Sequence, residues 1–176
     1  NLMYTGYQEN NGPFVLRYPR GKGEMADWRN EMHVLPIGKG KKLREGNDIA
    51  ILSLGPIGNE VIKAIKMVEG EGLSVAHYDM IYLKPIYEDL LQEVGKKFDR
   101  IITVENGVIK GGLGSAVLDF MADNGYTPRV KRIGVPDEFI EHGPIPEQYK
   151  LCGMDAQSIT DEIKKMVIRG KATPHT

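Results

Sequence analysis

One stretch, Ile101–Gly125, constrains this chain more than any other. It opens with the β-branched run Ile101, Ile102 and Val104, of a length that suits a buried strand. It closes with Val117, Phe120 and Met121 at three- and four-residue spacing, the period of a helix face. Between them stand Glu105-Asn106-Gly107 and then Gly111-Gly112-Leu113-Gly114-Ser115. A strand feeding a glycine-rich turn and then a helix is the repeating half of a parallel α/β sheet. The rest of the chain has to supply further copies of it.

The glycine turn invites a nucleotide reading, because exposed N–H groups at a helix start bind phosphate. The dinucleotide fingerprint needs a third glycine or alanine at a fixed offset. Here Gly112-x-Gly114 is followed by Ser115, Ala116 and Val117, and no G-x-x-x-x-G-K-[ST] run is present. The turn is therefore read as structural, serving close strand–helix packing. Glu105, at the end of its strand, is read as bonding to nearby turn N–H groups rather than as a catalytic acid.

Further copies are legible on the amino-terminal side. Gly38–Arg44 is polar and basic, as an edge strand should be. Asp48–Leu54 is almost continuously apolar, the pattern of a strand covered on both faces. A helix follows with Val61, Ala64, Ile65 and Val68 on one side, ended by Gly70 and Gly72. Leu73–Asp79 reads as a strand, and Tyr87, Leu90, Leu91 and Val94 mark the next helix. Arg129–Val135 gives the last strand and Pro136–Gly143 a loop; Asp155 is placed to cap a closing helix carrying Ile159, Ile163, Met166 and Val167. The expected architecture is α/β: a three-layer α/β/α sandwich on a five-stranded, mostly parallel sheet with one antiparallel edge strand.

Bulk properties narrow the function classes. The 23 lysines and arginines almost balance 24 acidic residues, for a net charge of −1, which gives no electrostatic case for nucleic acid or an anionic membrane. No apolar run approaches the ~18 residues of a membrane span. The single cysteine, Cys152, excludes an internal disulfide and fits a reducing, cytoplasmic setting. It also lacks neighbours that would activate it.

The first residues read as the end of a helix already under way, so the chain is expected to be the back end of something longer. Residues 1–21 are expected to be a remnant of a preceding domain, a helix end plus the strand Phe14–Tyr18. Residues 22–34 are expected to be a linker, 35–170 the sandwich domain and 171–176 a frayed tail. Pro19 stops the strand, which puts Arg17 and Arg20 at a strand end, where α/β sheets collect ligands. On composition alone such an arginine merely solvates that end. Its donor fork also suits phosphate or carboxylate. His77 reads as a satisfied core residue, His33 as unpartnered in the linker and His142 as fixing its loop. Asp137, Glu138, Glu141 and His142 mimic a metal set, but charge on a proline-bounded loop is read as solvated.

Three motifs in order carry a resemblance: Arg17-Tyr18-Pro19-Arg20-Gly21, Val104-Glu105 with Gly111-Gly112-Leu113-Gly114-Ser115, and Pro136-Asp137-x-Phe139-Ile140-x-His142-Gly143. With Pro36–Gly40, Lys84-Pro85 and Leu151–Ala156, they make nearly the whole chain similar to the C-terminal part of the 1-deoxy-D-xylulose-5-phosphate synthase family, within the transketolase superfamily. Ile81, Ile86-Tyr87 and Asn106-Gly107 depart from that family's usual residues. The resemblance implies a reaction joining pyruvate to glyceraldehyde 3-phosphate with loss of CO2. It implies thiamine diphosphate and Mg2+ held in upstream domains and none by this segment, which would support domain packing and a homodimer. It makes Arg17 the anchor for the acceptor's phosphate and Arg20 a weaker substrate-binding candidate; no catalytic, cofactor or metal residue is expected here. The alternatives are the C-terminal domain of a transketolase or of the β component of a pyruvate-type dehydrogenase, and a stand-alone anion-binding or assembly module.

Overall fold

The computed structural model describes residues 1–8, 12–19 and 29–168. Helix α1 (Leu2–Gln8) comes first, and the sheet begins at strand β1 (Lys41–Arg44). It continues through β2 (Ile49–Leu54), α2 (Gly58–Val68), β3 (Val75–Asp79), α3 (Glu88–Lys97), β4 (Arg100–Val108), α4 (Leu113–Asp123), β5 (Arg129–Val135), α5 (Ile145–Leu151) and α6 (Ala156–Ile168). The five strands form one sheet in the order β1-β3-β2-β4-β5. Only β1 runs antiparallel, against β3, and every other pairing is parallel.

Alternation along each central strand builds two cores. Ile49, Ile51, Ile102 and Val104 face α2 and α6, together with Val61, Ala64, Ile65, Ile159, Ile163 and Met166. Ala50, Leu52 and Ile101 face the other way, onto Leu90, Leu91 and Val94 of α3 and Leu113, Val117 and Met121 of α4. Each buried Ile, Leu or Val side chain stabilises the fold by ~1.5–3 kcal/mol. The central strands therefore have to be apolar on both faces, as the sequence of β2 is. Charge marks the sheet's rims: β1 reads Lys-Lys-Leu-Arg and is exposed throughout, while β5 carries Arg129, Lys131 and Arg132. Such edges resist pairing with other strands.

Local signals end the elements where expected. Gly72 takes φ +73° after the turn closing α2. Asp155 Oδ1 accepts from the N–H groups of Gln157 and Ser158 at 3.1 and 3.2 Å, capping α6.

Phe14–Tyr18 pairs with none of the five strands, and Val15 and Tyr18 are exposed. The strand expected there was assigned to the sheet of a preceding domain, and a β-branched run becomes a strand only when another strand supplies its hydrogen bonds. The segment meets the sandwich through Phe14, whose ring meets Tyr82 edge-on at 6.3 Å and also packs on Gly6. One element that the sequence reading lacks is α5. Its seven residues bury no side chain fully, so it has no apolar period to read. Residues 20–28 and 169–176, which include Arg20, most of the expected linker and the tail, lie outside the described residues.

Candidate functional site

The carboxyl end of β4 is built unlike the other strand ends. Val104 pairs with Ile133 and Val108 with Val135, so Glu105, Asn106 and Gly107 stand opposite Gly134 alone. The extra residues bulge out of the ladder, a distortion that re-aims backbone groups beside binding sites.

Glu105 holds the bulge from within. Its side chain is buried, and its two oxygens accept from the N–H groups of Leu113 and Gly114 at 2.9 and 3.0 Å. These are orphan donors at the start of α4, and a carboxylate there also gains from the helix dipole. The helix start at which the glycine turn would seat a phosphate is thus filled by a side chain of the same chain. Gly112 is required for this, because a Cβ there would overlap the Glu105 carboxylate. A Cβ on Gly114 would press on Thr103 and the stem of Arg132. The glycines serve close packing, as the failed fingerprint implied.

Arg17 meets this bulge from outside. Its guanidinium Nη2 donates to the main-chain carbonyl of Asn106, and the residue is exposed. Asn106 is tied in turn to α5, its Nδ2 donating to the Tyr149 hydroxyl at 2.8 Å. Arg17, Pro19, Asn106, Gln148 and Tyr149 line a groove of about 300 Å³ whose other wall is apolar, with Val135, Ile140, Ile145 and Met154. An open groove with one cation and a few convergent polar groups suits an anionic small molecule.

The other candidates take quieter positions. His77 is buried on β3, its Nε2 2.8 Å from Ser53 Oγ on β2, and burial pushes its pKa down to about 4. It is the satisfied core residue that was expected. His33 is not unpartnered: its ring meets the Asn1 side-chain amide at 3.2 Å, and its N–H donates to Asn1 Oδ1. His142 is exposed, and the loop before α5 is tied by Gln148 Nε2 donating to the Glu141 carbonyl. Lys110 pairs with Asp137 at 2.9 Å across the same loop. Burial, with help from the charge of Glu138, pushes the Cys152 thiol up, which lowers the share of thiolate. Among the described residues no three His, Cys, Asp or Glu side chains converge as metal ligands, and no helix is long and apolar enough to cross a membrane. Sequence reasoning missed Tyr149 and Gln148, because only the fold brings α5 beside the end of β4.

Comparison with known proteins agrees with this architecture. Residues 38–159 match the family model for the transketolase C-terminal domain. A 1-deoxy-D-xylulose-5-phosphate synthase of Parabacteroides distasonis is 78% identical over 165 residues, 94% of this chain and 26% of the relative. That of Bacteroides thetaiotaomicron is 56% identical over 93% of the chain and again 26% of the relative. The chain thus spans about a quarter of the length of these curated relatives. Among solved structures, a split-gene transketolase described as an inactive β4 tetramer superposes with a TM-score of 0.71 at 32% identity, covering 77% of this chain and 44% of that one. Transketolase from Leishmania mexicana shares the fold, with a TM-score of 0.56 at 15% identity over 75% of this chain and 18% of its own.

Proposed function

The chain belongs to the transketolase C-terminal domain family, and from that premise we propose that it is the C-terminal part of a 1-deoxy-D-xylulose-5-phosphate synthase. The full-length enzyme joins pyruvate to glyceraldehyde 3-phosphate with loss of CO2. Two high-identity relatives carrying that name support the choice over a transketolase or a dehydrogenase β component.

The described residues do not fit the cofactor this family implies. The one glycine-rich helix start is filled by Glu105, and no metal-ligand cluster converges. In our reading thiamine diphosphate and Mg2+ belong to other domains of the longer enzyme, and this segment supplies position and charge. The filled helix start also counts against a stand-alone anion-binding module.

The observation that carries the substrate reading is Arg17. An exposed guanidinium docked on a carbonyl at the lip of an open groove is a fixed cation for the acceptor's phosphate. Gripping a remote phosphate orients the reacting carbonyl without touching it. Arg20 is a second candidate for the same anion. Residues 1–21 then belong to the preceding domain and 22–34 to the linker, while the sandwich braces that domain and a second subunit in a cytoplasmic homodimer. On its own the segment is inactive, a reading in line with the relative described as an inactive β4 tetramer.

Arg17→Ala in the full-length enzyme tests this. The KM for glyceraldehyde 3-phosphate is expected to rise roughly 10- to 100-fold, with the KM for pyruvate little changed. Equal effects on both substrates, or none, would remove Arg17 from the phosphate site.

A further inference from the structure

We propose that the β4 bulge is the seat that fixes Arg17, and that Glu105 and Tyr149 are positioning residues for anion binding. The inference rests on the reading of Arg17 as the phosphate anchor and adds what holds that anchor in place.

Arginine is among the most rotamer-rich side chains, so one that waits already oriented spares ligand binding an ordering cost. Among the described residues, the Asn106 carbonyl holds the Arg17 head group. A guanidinium is a planar fork of five donors, and holding one arm narrows the orientations open to the others. The orientation of that carbonyl therefore limits the orientation of the cation.

Nothing in an ordinary parallel ladder would turn the Asn106 carbonyl outward. It is turned by the bulge, in which Glu105–Gly107 face Gly134 alone. Two side chains pin the bulge from opposite sides. Glu105 ties its first residue to α4 through the N–H groups of Leu113 and Gly114, and Tyr149 ties Asn106 to α5 through the side-chain amide at 2.8 Å. Gly107 and Gly134 leave the room, since a Cβ on Gly134 would come within 2.9 Å of the Gly107 carbonyl and one on Gly107 within 2.9 Å of Glu105. In this arrangement Glu105, and Tyr149 by its hold on Asn106, act on the acceptor through Arg17. Their contribution belongs to the phosphate and not to the chemistry of pyruvate.

The test is steady-state kinetics on the full-length enzyme, with glyceraldehyde 3-phosphate and with unphosphorylated glyceraldehyde as acceptors. Tyr149→Phe is expected to raise the KM for the phosphorylated acceptor roughly five-fold, the worth of one hydrogen bond. Glu105→Gln turns an amide N–H2 toward a helix N–H and is expected to raise it roughly ten-fold or more. The KM for pyruvate and for glyceraldehyde should stay within about two-fold. In an Arg17→Ala background both effects should disappear, because the group they position is gone. Effects that persist at full size in that background, that fall equally on glyceraldehyde, or a silent Tyr149→Phe overturn the seat and leave the Arg17 reading standing. An Arg17→Ala variant with normal acceptor KM overturns the anchor reading and the seat with it. Should Glu105→Gln fail to fold by circular dichroism, Tyr149→Phe alone decides.

Discussion

Two polar arrangements sit at the carboxyl ends of adjacent strands, and they differ in one respect. On β2 and β3, Ser53 and His77 are buried and bonded to each other, and neither lines the groove beside Arg17. At the end of β4, buried Glu105 is bonded just as fully, but the same strand carries two polar atoms with no hydrogen-bond partner among the described residues, Thr103 Oγ1 and Asn106 Oδ1. It also carries the outward carbonyl that Arg17 grips. Buried polar groups are nearly always paired, and exceptions gather where a fold trades stability for a site. Residue type does not separate the two places. Access to a groove and a nearby cation do.

The largest expected break in this contrast comes from Gly112→Ala. Its Cβ would drive the Glu105 carboxylate out of the start of α4, even though that side chain is otherwise held on two N–H groups. Losing two charge-assisted hydrogen bonds to a buried group is expected to cost about 3 kcal/mol or more in urea unfolding. A loss below about 1 kcal/mol would mean the carboxylate relocates freely and the bulge is not pinned.

The closed pair should show its character through pH. In an unfolded chain the His77 imidazole takes a proton below its ordinary 6.5, whereas in the fold burial holds it neutral down to about 4. Between those values the unfolded state binds the extra proton. This contribution to stability is therefore full above pH 6.5 and is lost progressively as the pH falls toward 4. Moving from pH 7.5 to 5 should cost about 2 kcal/mol through this group alone. His77→Gln should flatten that part of the profile, and an unchanged slope would show that His77 is protonated in the fold near neutral pH.

The smallest effect should come from Thr103→Val, which keeps the shape and removes an unpartnered hydroxyl. It is expected to be neutral or to stabilise by up to ~1 kcal/mol, read as a shift in the denaturation midpoint. A clear loss would mean that the hydroxyl has a partner in solution, and the contrast with Ser53 would weaken.

Most of the sandwich was legible because its elements depend on short-range physics. A run such as Ile49–Leu54, apolar on both faces, can only be a covered strand, and Val61, Ala64, Ile65 and Val68 share a helix face whatever lies beyond them. The structural role of the glycine turn was legible too, from the missing third glycine. The strand expected at Phe14–Tyr18 belongs by that reading to another domain's sheet, and this sheet does not decide it: propensity describes one segment, and a ladder needs two. Helix α5 left no periodic trace because it buries none of its side chains fully.

What the sequence by itself determined is the α/β sandwich and the alternation of its cores. Only the tertiary structure decided that Glu105 closes the helix start, that β4 bulges and that Tyr149 stands behind Asn106. The physical reason is separation along the chain: Arg17, Asn106 and Tyr149 are far apart in sequence, and their encounter depends on the register of β4 against β5 and on the packing of α5, which no local pattern encodes.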